Sequence, residues 1–70
     1  MKNKIAERLN TLMDDERISA YKLAKDLKIH QSTISYWRKG QTTPNADYII
    51  ALADYFEVCA DYLLGRQDWY

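Results

Sequence analysis

Apolar residues recur in short blocks at spacings of three and four, and this periodicity constrains the fold more than any other feature of the chain. The first block consists of Ile5, Leu9, Leu12 and Met13. Such spacing puts apolar side chains on one stripe of an amphipathic helix, whereas a half-buried strand requires them to alternate. Only two glycines and one proline interrupt the 70 residues. The sequence therefore predicts an all-α fold with little or no sheet.

Three helices are predicted in the first 40 residues. The first covers about residues 2–15, and Ser19 is the N-cap of a short second helix. A turn at residues 28–30 leads into a third helix, which ends at Gly40. The inward positions of the second and third helices are Leu23, Ala24, Leu27, Ile34 and Trp37.

Two more helices are predicted in the remaining chain. Asn45 follows a polar loop and is the N-cap of the fourth helix, and a short fifth helix at about residues 60–64 ends at Gly65. The side chains expected in the core are Ile49, Leu52, Ala53, Phe56, Val58, Leu63 and Leu64. The prediction is one five-helix bundle at residues 1–65 with a tail at residues 66–70.

The residues that carry chemistry are few and scattered. One cysteine, Cys59, excludes an intrachain disulfide, and one histidine, His30, adds too little for a metal site. The acidic run at residues 14–16 lies between helices, whereas a catalytic carboxylate pair must be held on separate rigid elements. We expect no enzyme, catalytic residue, metal, cofactor or small-molecule ligand.

No segment of the sequence resembles a membrane span or a signal peptide. The longest apolar run is the six residues 48–53, against the roughly 20 needed to cross a bilayer. We therefore expect a cytoplasmic protein without a membrane partner.

The net charge is zero, so the chain lacks the overall positive charge that would favour nucleic-acid binding. The charges are, however, unevenly distributed along the sequence. Residues 21–40 hold five basic residues and one acidic residue, a net charge of +4. Residues 41–70 hold one basic and five acidic residues, a net charge of −4. The basic middle suits a polyanion, although ordinary surface charge gives the same pattern.

The second and third helices with their short turn have the geometry of a helix-turn-helix, at about residues 19–39. This geometry serves DNA binding in some all-α domains and is plain core architecture in others. From geometry alone both interpretations stay open.

The exposed side of the third helix carries small polar side chains instead of the Glu and Lys pairs typical of a solvated face. Glutamine pairs bidentately with adenine, serine bonds to several bases, and a tyrosine ring contacts a thymine methyl group. The predicted base-reading residues are Gln31, Ser32, Ser35 and Tyr36. The alternative is an exposed face without a function.

Phosphate contacts are predicted around that face. The starts of the second and fourth helices offer free N–H groups and a positive dipole end, which suit phosphates without formal charge. The predicted phosphate-binding residues are Ser19, Thr33, Lys39, Gln41, Thr43 and Asn45.

The chain resembles the Cro and repressor helix-turn-helix family of temperate phages and bacterial Xre-type regulators. The segments that carry the resemblance are RL at 8–9 with Leu12, IS at 18–19, LAKDL at 23–27, QSTIS at 31–35, WRKG at 37–40, Pro44, LADYF at 52–56 and DYLLG at 61–65. The resemblance implies a five-helix domain whose third helix enters the major groove, usually as a dimer on an operator with two half-sites.

Several positions depart from the family pattern. Lys28 stands where a glycine is common, and His30 and Cys59 replace the usual hydroxyl caps. Arg38 occupies the place of a glutamate that pairs with an arginine on the first helix, where this chain has Met13. The missing ion pair leaves Arg38 for DNA or for Glu16.

Together these features predict a sequence-specific transcriptional repressor that binds a pseudo-palindromic operator in double-stranded DNA as a homodimer. The expected dimer contacts are Leu64, Trp69 and Tyr70. The alternative is a protein-interaction module, such as an antitoxin-like or antirepressor subunit, that keeps the fold without reading DNA.

Overall fold

Five helices make up residues 4–68, which are the residues that the computed structural model describes. They are α1 (Lys4–Glu16), α2 (Ala20–Leu27), α3 (Gln31–Lys39), α4 (Ala46–Phe56) and α5 (Ala60–Leu63). Residues 4–68 contain no strand. The predicted all-α, five-helix fold is therefore confirmed, with helix boundaries within one or two residues of those expected.

A single apolar core joins all five helices, and each helix supplies one side chain with no exposed surface. These side chains are Leu9, Leu23, Ile34, Leu52 and Leu63. Burying a side chain of this size stabilises the fold by about 1.5 to 3 kcal/mol. Helices shorter than about 12 to 15 residues are marginal in isolation, so packing against this core maintains them.

Side chains cap two of the helices as the sequence predicted. The Ser19 hydroxyl oxygen accepts a hydrogen bond from the Lys22 amide at 3.1 Å. The Asn45 side-chain oxygen accepts one from the Tyr48 amide at 2.9 Å. His30 makes no such bond at the start of α3, because an imidazole in that position replaces the short hydroxyl that normally reaches back to the helix.

Residues in the left-handed backbone conformation follow the ends of α1, α2 and α4. They are Arg17, Lys28 and Glu57, with φ values of 55°, 61° and 57°. In each case the following amide bonds back to a carbonyl inside the helix, as Ile29 does to Ala24 at 3.0 Å. These ends redirect the chain and give two carbonyls of each last turn a backbone donor.

The last helix corrects one expectation about the core. Leu64 was expected inside, yet 41% of it is exposed, while Tyr62 is 4% exposed. Because α5 has a single turn and ends at Leu63, Tyr62 takes the inner position against α1 and Leu64 follows on the outside. The guanidinium of Arg8 lies 4.5 Å from the centre of the Tyr62 ring and pairs with Asp68 at 2.9 Å.

Gly65 allows the end of α5 to approach the start of α1. Its φ is +80°, and a Cβ atom at this position would lie 2.5 Å from the Cβ atom of Lys4. Any larger residue there would push the C-terminal segment away from α1.

We expect replacement of Lys28 by glycine to raise the free energy of unfolding by up to about 1 kcal/mol, because glycine adopts the left-handed conformation without a Cβ clash. Urea-induced unfolding measures the change. Lys25→Gly inside α2 is the matched control and should lower stability by about 1 kcal/mol. A Lys28→Gly protein less stable than the wild type would contradict this account of the turn.

Candidate nucleic-acid interface

The turn between α2 and α3 holds the two helices at a defined angle. The left-handed Lys28 reverses the chain, and the Ile29 side chain packs against the core. The Thr33 amide then bonds to the His30 carbonyl at 3.1 Å as α3 begins. The orientation of α3 therefore depends on both its own core contacts and the turn before it.

α3 has one buried face and one exposed polar face. Ile34 and Trp37 are buried, and the Trp37 ring packs at a tilt against Tyr48 with a centroid distance of 5.3 Å. On the other side Gln31 and Ser32 are exposed, Tyr36 is 48% exposed, and Ser35 is partly exposed. The helix thus presents the residues predicted to read bases on its outer surface.

The polar groups of this face are available for an external partner. None of the four side chains, Gln31, Ser32, Ser35 and Tyr36, makes a hydrogen bond to any residue that the structure describes. A structural role inside the domain would give such groups partners, because polar side chains that support a fold are usually bonded within it. Their outward position is a precondition for base contacts.

The residues predicted to bind phosphates surround α3 at several elements. Ser19 and Asn45 are exposed at the starts of α2 and α4, where each uses an oxygen as an N-cap. The Ser19 hydroxyl hydrogen and the Asn45 amide nitrogen remain as donors. Lys39, Gln41 and Thr43 are exposed after α3, and Thr33 is partly buried.

Gln41 lies directly against the end of α3, because its amide donates to the Tyr36 carbonyl at 3.0 Å. This bond and the left-handed Gly40 bring Gln41 beside the last turn of the helix. Gln41 is therefore fixed next to the exposed face, whereas Thr43 and Asn45 belong to the loop that leads into α4.

A hydrogen-bond network joins α2, the first helix of the helix-turn-helix, to α4. The Tyr55 hydroxyl donates to the Asp26 carboxylate at 2.5 Å, and the Lys22 ammonium bonds to the same carboxylate at 3.0 Å. The bond to Asp26 raises the pKa of Tyr55 to about 12. The Tyr55 hydroxyl and the Lys22 ammonium lower the pKa of Asp26. No spacing in the sequence links two residues on these separate helices.

Arg38 bonds to α1 in a way that sequence analysis did not find. Its Nε donates to the Asn10 side-chain oxygen at 2.5 Å, and the Asn10 side-chain nitrogen donates to the Arg38 carbonyl at 3.0 Å. Met13, at the family's arginine position, is buried. Of the two partners considered for Arg38, Glu16 forms no ion pair with it among the described residues.

Two kinds of site are absent from residues 4–68. They contain no group of three or more His, Cys, Asp and Glu side chains arranged to hold a metal ion. None of the helices in this part of the chain has the length and apolar character to cross a membrane. Trp69 and Tyr70, two of the predicted dimer contacts, lie outside the described residues.

Comparison with known proteins agrees with the geometry. A family model described as helix-turn-helix matches residues 9–63, which run from the first fully buried residue of α1 to the end of α5. Searches of curated proteins and of solved structures gave no match. The similarity inferred from the sequence motifs is confirmed by this match.

We expect Tyr55→Phe to destabilise the protein most near neutral pH. The raised pKa of Tyr55 means that its contribution is present below pH 10 and is lost as the pH rises from about 10 to about 12. The lowered pKa of Asp26 means that its contribution is lost as the pH falls below the ordinary aspartate range. The stability difference between wild type and variant should therefore shrink at both extremes.

Urea unfolding at a series of pH values measures this difference. Tyr36→Phe is the matched control, since the Tyr36 hydroxyl has no partner among residues 4–68. A difference for Tyr55→Phe that stays constant from neutral pH to pH 12 would show that the Asp26 bond does not stabilise the fold.

Proposed function

We propose that this protein, which belongs to the Cro and repressor type of helix-turn-helix family, is a sequence-specific transcriptional regulator. In this proposal α3 enters the major groove of an operator, and the bound protein represses by blocking polymerase. Members of this family are DNA-binding domains, and bacterial or phage DNA in the cytoplasm is the expected partner.

The observation that carries the proposal is the outer face of α3. Four polar side chains point away from the core without a partner among the described residues, on the helix that the family uses to read DNA. An α-helix fits the major groove, and Gln31 and Ser32 near its N-terminus suit base edges. Ser35 and Tyr36 extend the same face by one turn.

A protein of zero net charge can still contact DNA phosphates around this face, because uncharged N–H and O–H groups also donate to them. Ser19, Asn45 and the amides beside them offer donors at two helix starts, and Thr33, Gln41 and Thr43 add neutral polar groups. Lys39 is exposed and makes no ion pair with a described residue. Few formal charges take part, so we expect a weaker salt dependence than that of strongly basic binders.

An apolar groove supports dimerisation through the α4 and α5 side of the molecule. Its volume is about 340 Å³. Ile50 and Leu64 at this groove are 56% and 41% exposed, which is costly for large aliphatic side chains in water. We assign a second copy of this chain to the groove, because a two-fold dimer buries the same patch on both subunits and suits a pseudo-palindromic operator.

Selection of bound sites from random DNA should recover one sequence with two related half-sites. The double substitution Gln31→Ala and Tyr36→Ala should remove most of the difference in affinity between this DNA and unrelated DNA. Each lost base contact costs roughly 1 to 3 kcal/mol. Lys39→Ala is the comparison variant and should weaken selected and unrelated DNA about equally. Fluorescence anisotropy measures both affinities, and circular dichroism checks the fold.

The same experiment separates the proposal from a protein-interaction module. Such a module would give no enriched sequence, and the double variant would behave like the wild type in every DNA assay. That outcome would replace the regulator proposal.

Leu64→Glu should abolish the dimer, because it introduces an unpaired charge into the apolar groove. Both proteins are measured by sedimentation in complex with operator DNA. The mass of the complex should correspond to two bound chains for the wild type and to one for the variant. Tyr21→Glu adds the same charge at another exposed large side chain, 64% exposed on α2, and should leave the mass unchanged. A wild-type protein that stays monomeric on DNA would rule out the groove as a dimer surface.

A further inference from the structure

We infer that Asn10 and Arg38 form a phosphate-binding cleft beside the base-reading face, in which Arg38 binds a backbone phosphate and Asn10 positions it. This inference rests on the proposed DNA-binding function. It assigns Asn10, which the sequence did not indicate, and gives a specific role to Arg38, which the sequence left for DNA or for Glu16. The cleft has a volume of about 300 Å³ and is lined by Asn10, Ser35, Arg38 and Lys39.

The guanidinium of Arg38 is held in place by its inner nitrogen alone. Nε donates to the Asn10 side-chain oxygen at 2.5 Å, and Asn10 in turn donates to the Arg38 carbonyl at 3.0 Å. The two terminal nitrogens make no hydrogen bond to a residue in the described part of the chain. A planar guanidinium fixed at Nε presents the remaining N–H groups as a fork, which matches the geometry of a phosphate.

Two neighbouring cations in this cleft lack a negative partner. Within residues 4–68, neither Arg38 nor Lys39 lies within ion-pair distance of a carboxylate. Lys4, Arg8 and Lys22, by contrast, each pair with a carboxylate, as Arg8 does with Asp68 at 2.9 Å. Adjacent positive charges repel each other, so a bound anion would relieve the repulsion as well as satisfy the free donors.

The neutral character of Asn10 keeps the positive charge available. A carboxylate at this position would accept the same bond from Nε but would cancel the charge of Arg38. The amide instead both accepts from the side chain and donates to the backbone of the same residue. Asn10 therefore immobilises Arg38 without neutralising it, which reduces the entropy lost when a phosphate binds.

The position of the cleft identifies the anion as a DNA phosphate. Ser35 belongs both to the cleft and to the exposed face of α3, and Lys39 follows one turn later. The major groove is about 12 Å wide and a helix with its side chains is about 10 to 12 Å across, so the walls of the groove flank an inserted helix closely. A cation at the side of α3 then faces the phosphates of one wall.

Arg38→Gln tests the cleft on the DNA sequence that the wild type selects. Affinity should fall about tenfold or more for selected and unrelated DNA alike, as expected for loss of a hydrogen bond to a charged group. The slope of log K against log salt should become less steep by about 1 per subunit. Arg66→Gln removes the same charge from the exposed segment after α5 and should leave affinity and slope close to the wild-type values.

Two further variants separate a binding role from a structural one. Arg38→Lys keeps the charge and should retain the salt slope while losing part of the affinity. Asn10→Asp should lower the affinity and reduce the slope although Arg38 is unchanged, because the new carboxylate neutralises it. A role of the Asn10 and Arg38 pair in folding alone would change the unfolding midpoint of these variants without changing the slope.

The outcomes for Arg38→Gln distinguish failure of the cleft from failure of the regulator proposal. Wild-type affinity and slope in Arg38→Gln, with discrimination still dependent on Gln31 and Tyr36, would overturn the cleft and leave the regulator proposal standing. A loss confined to the selected sequence would mean a base contact and would also overturn the phosphate assignment. A wild-type protein that binds no DNA would overturn both proposals.

Discussion

The shared core is the constraint on which the rest of the molecule depends. Each helix gives it at least one fully buried side chain, and α5 does so with a single turn. Helices of this length are too short to persist alone, so the face that each one exposes follows from the face that it buries. The outward position of Gln31 and Tyr36 is therefore a consequence of the inward position of Ile34 and Trp37.

Local backbone geometry converts this core into a helix-turn-helix. The left-handed Lys28 and the capped start of α2 set where the two helices end and begin, and the bond between Tyr55 and Asp26 ties α2 to α4. The lysine at position 28 is a non-glycine residue where glycine would be less strained. The backbone bonds of Lys28 to Lys25 and of Ile29 to Ala24, together with the packing of Ile29 against the core, hold this turn in place.

The distribution of charge explains how a neutral chain can suit a polyanion. In the proposed complex with DNA, the positive charges beside α3 are those of Arg38 and Lys39, which have no negative partner among residues 4–68, while Arg8 and Lys22 pair with carboxylates. Uncharged donors at the helix starts add to them. In this arrangement local availability of charge and donors counts for more than the net charge of the protein.

Much of the fold followed from the amino-acid sequence. Periodicity, the caps at Ser19 and Asn45 and the glycine at position 40 determined the helices, because these effects act within a few residues along the chain. The exposed polar face of α3 followed for the same reason, and the family motifs gave its expected use. Leu64 was misassigned, since one turn of helix gives too short a pattern to tell inside from outside.

Only the tertiary structure decided which distant residues meet. The pairs Asn10 with Arg38 and Asp26 with Tyr55 join different helices across 28 and 29 positions. Their contact depends on how the helices pack, which depends in turn on the shape of the whole core. Sequence patterns therefore specified what each helix exposes, and packing determined which of the exposed groups are held, paired or left available.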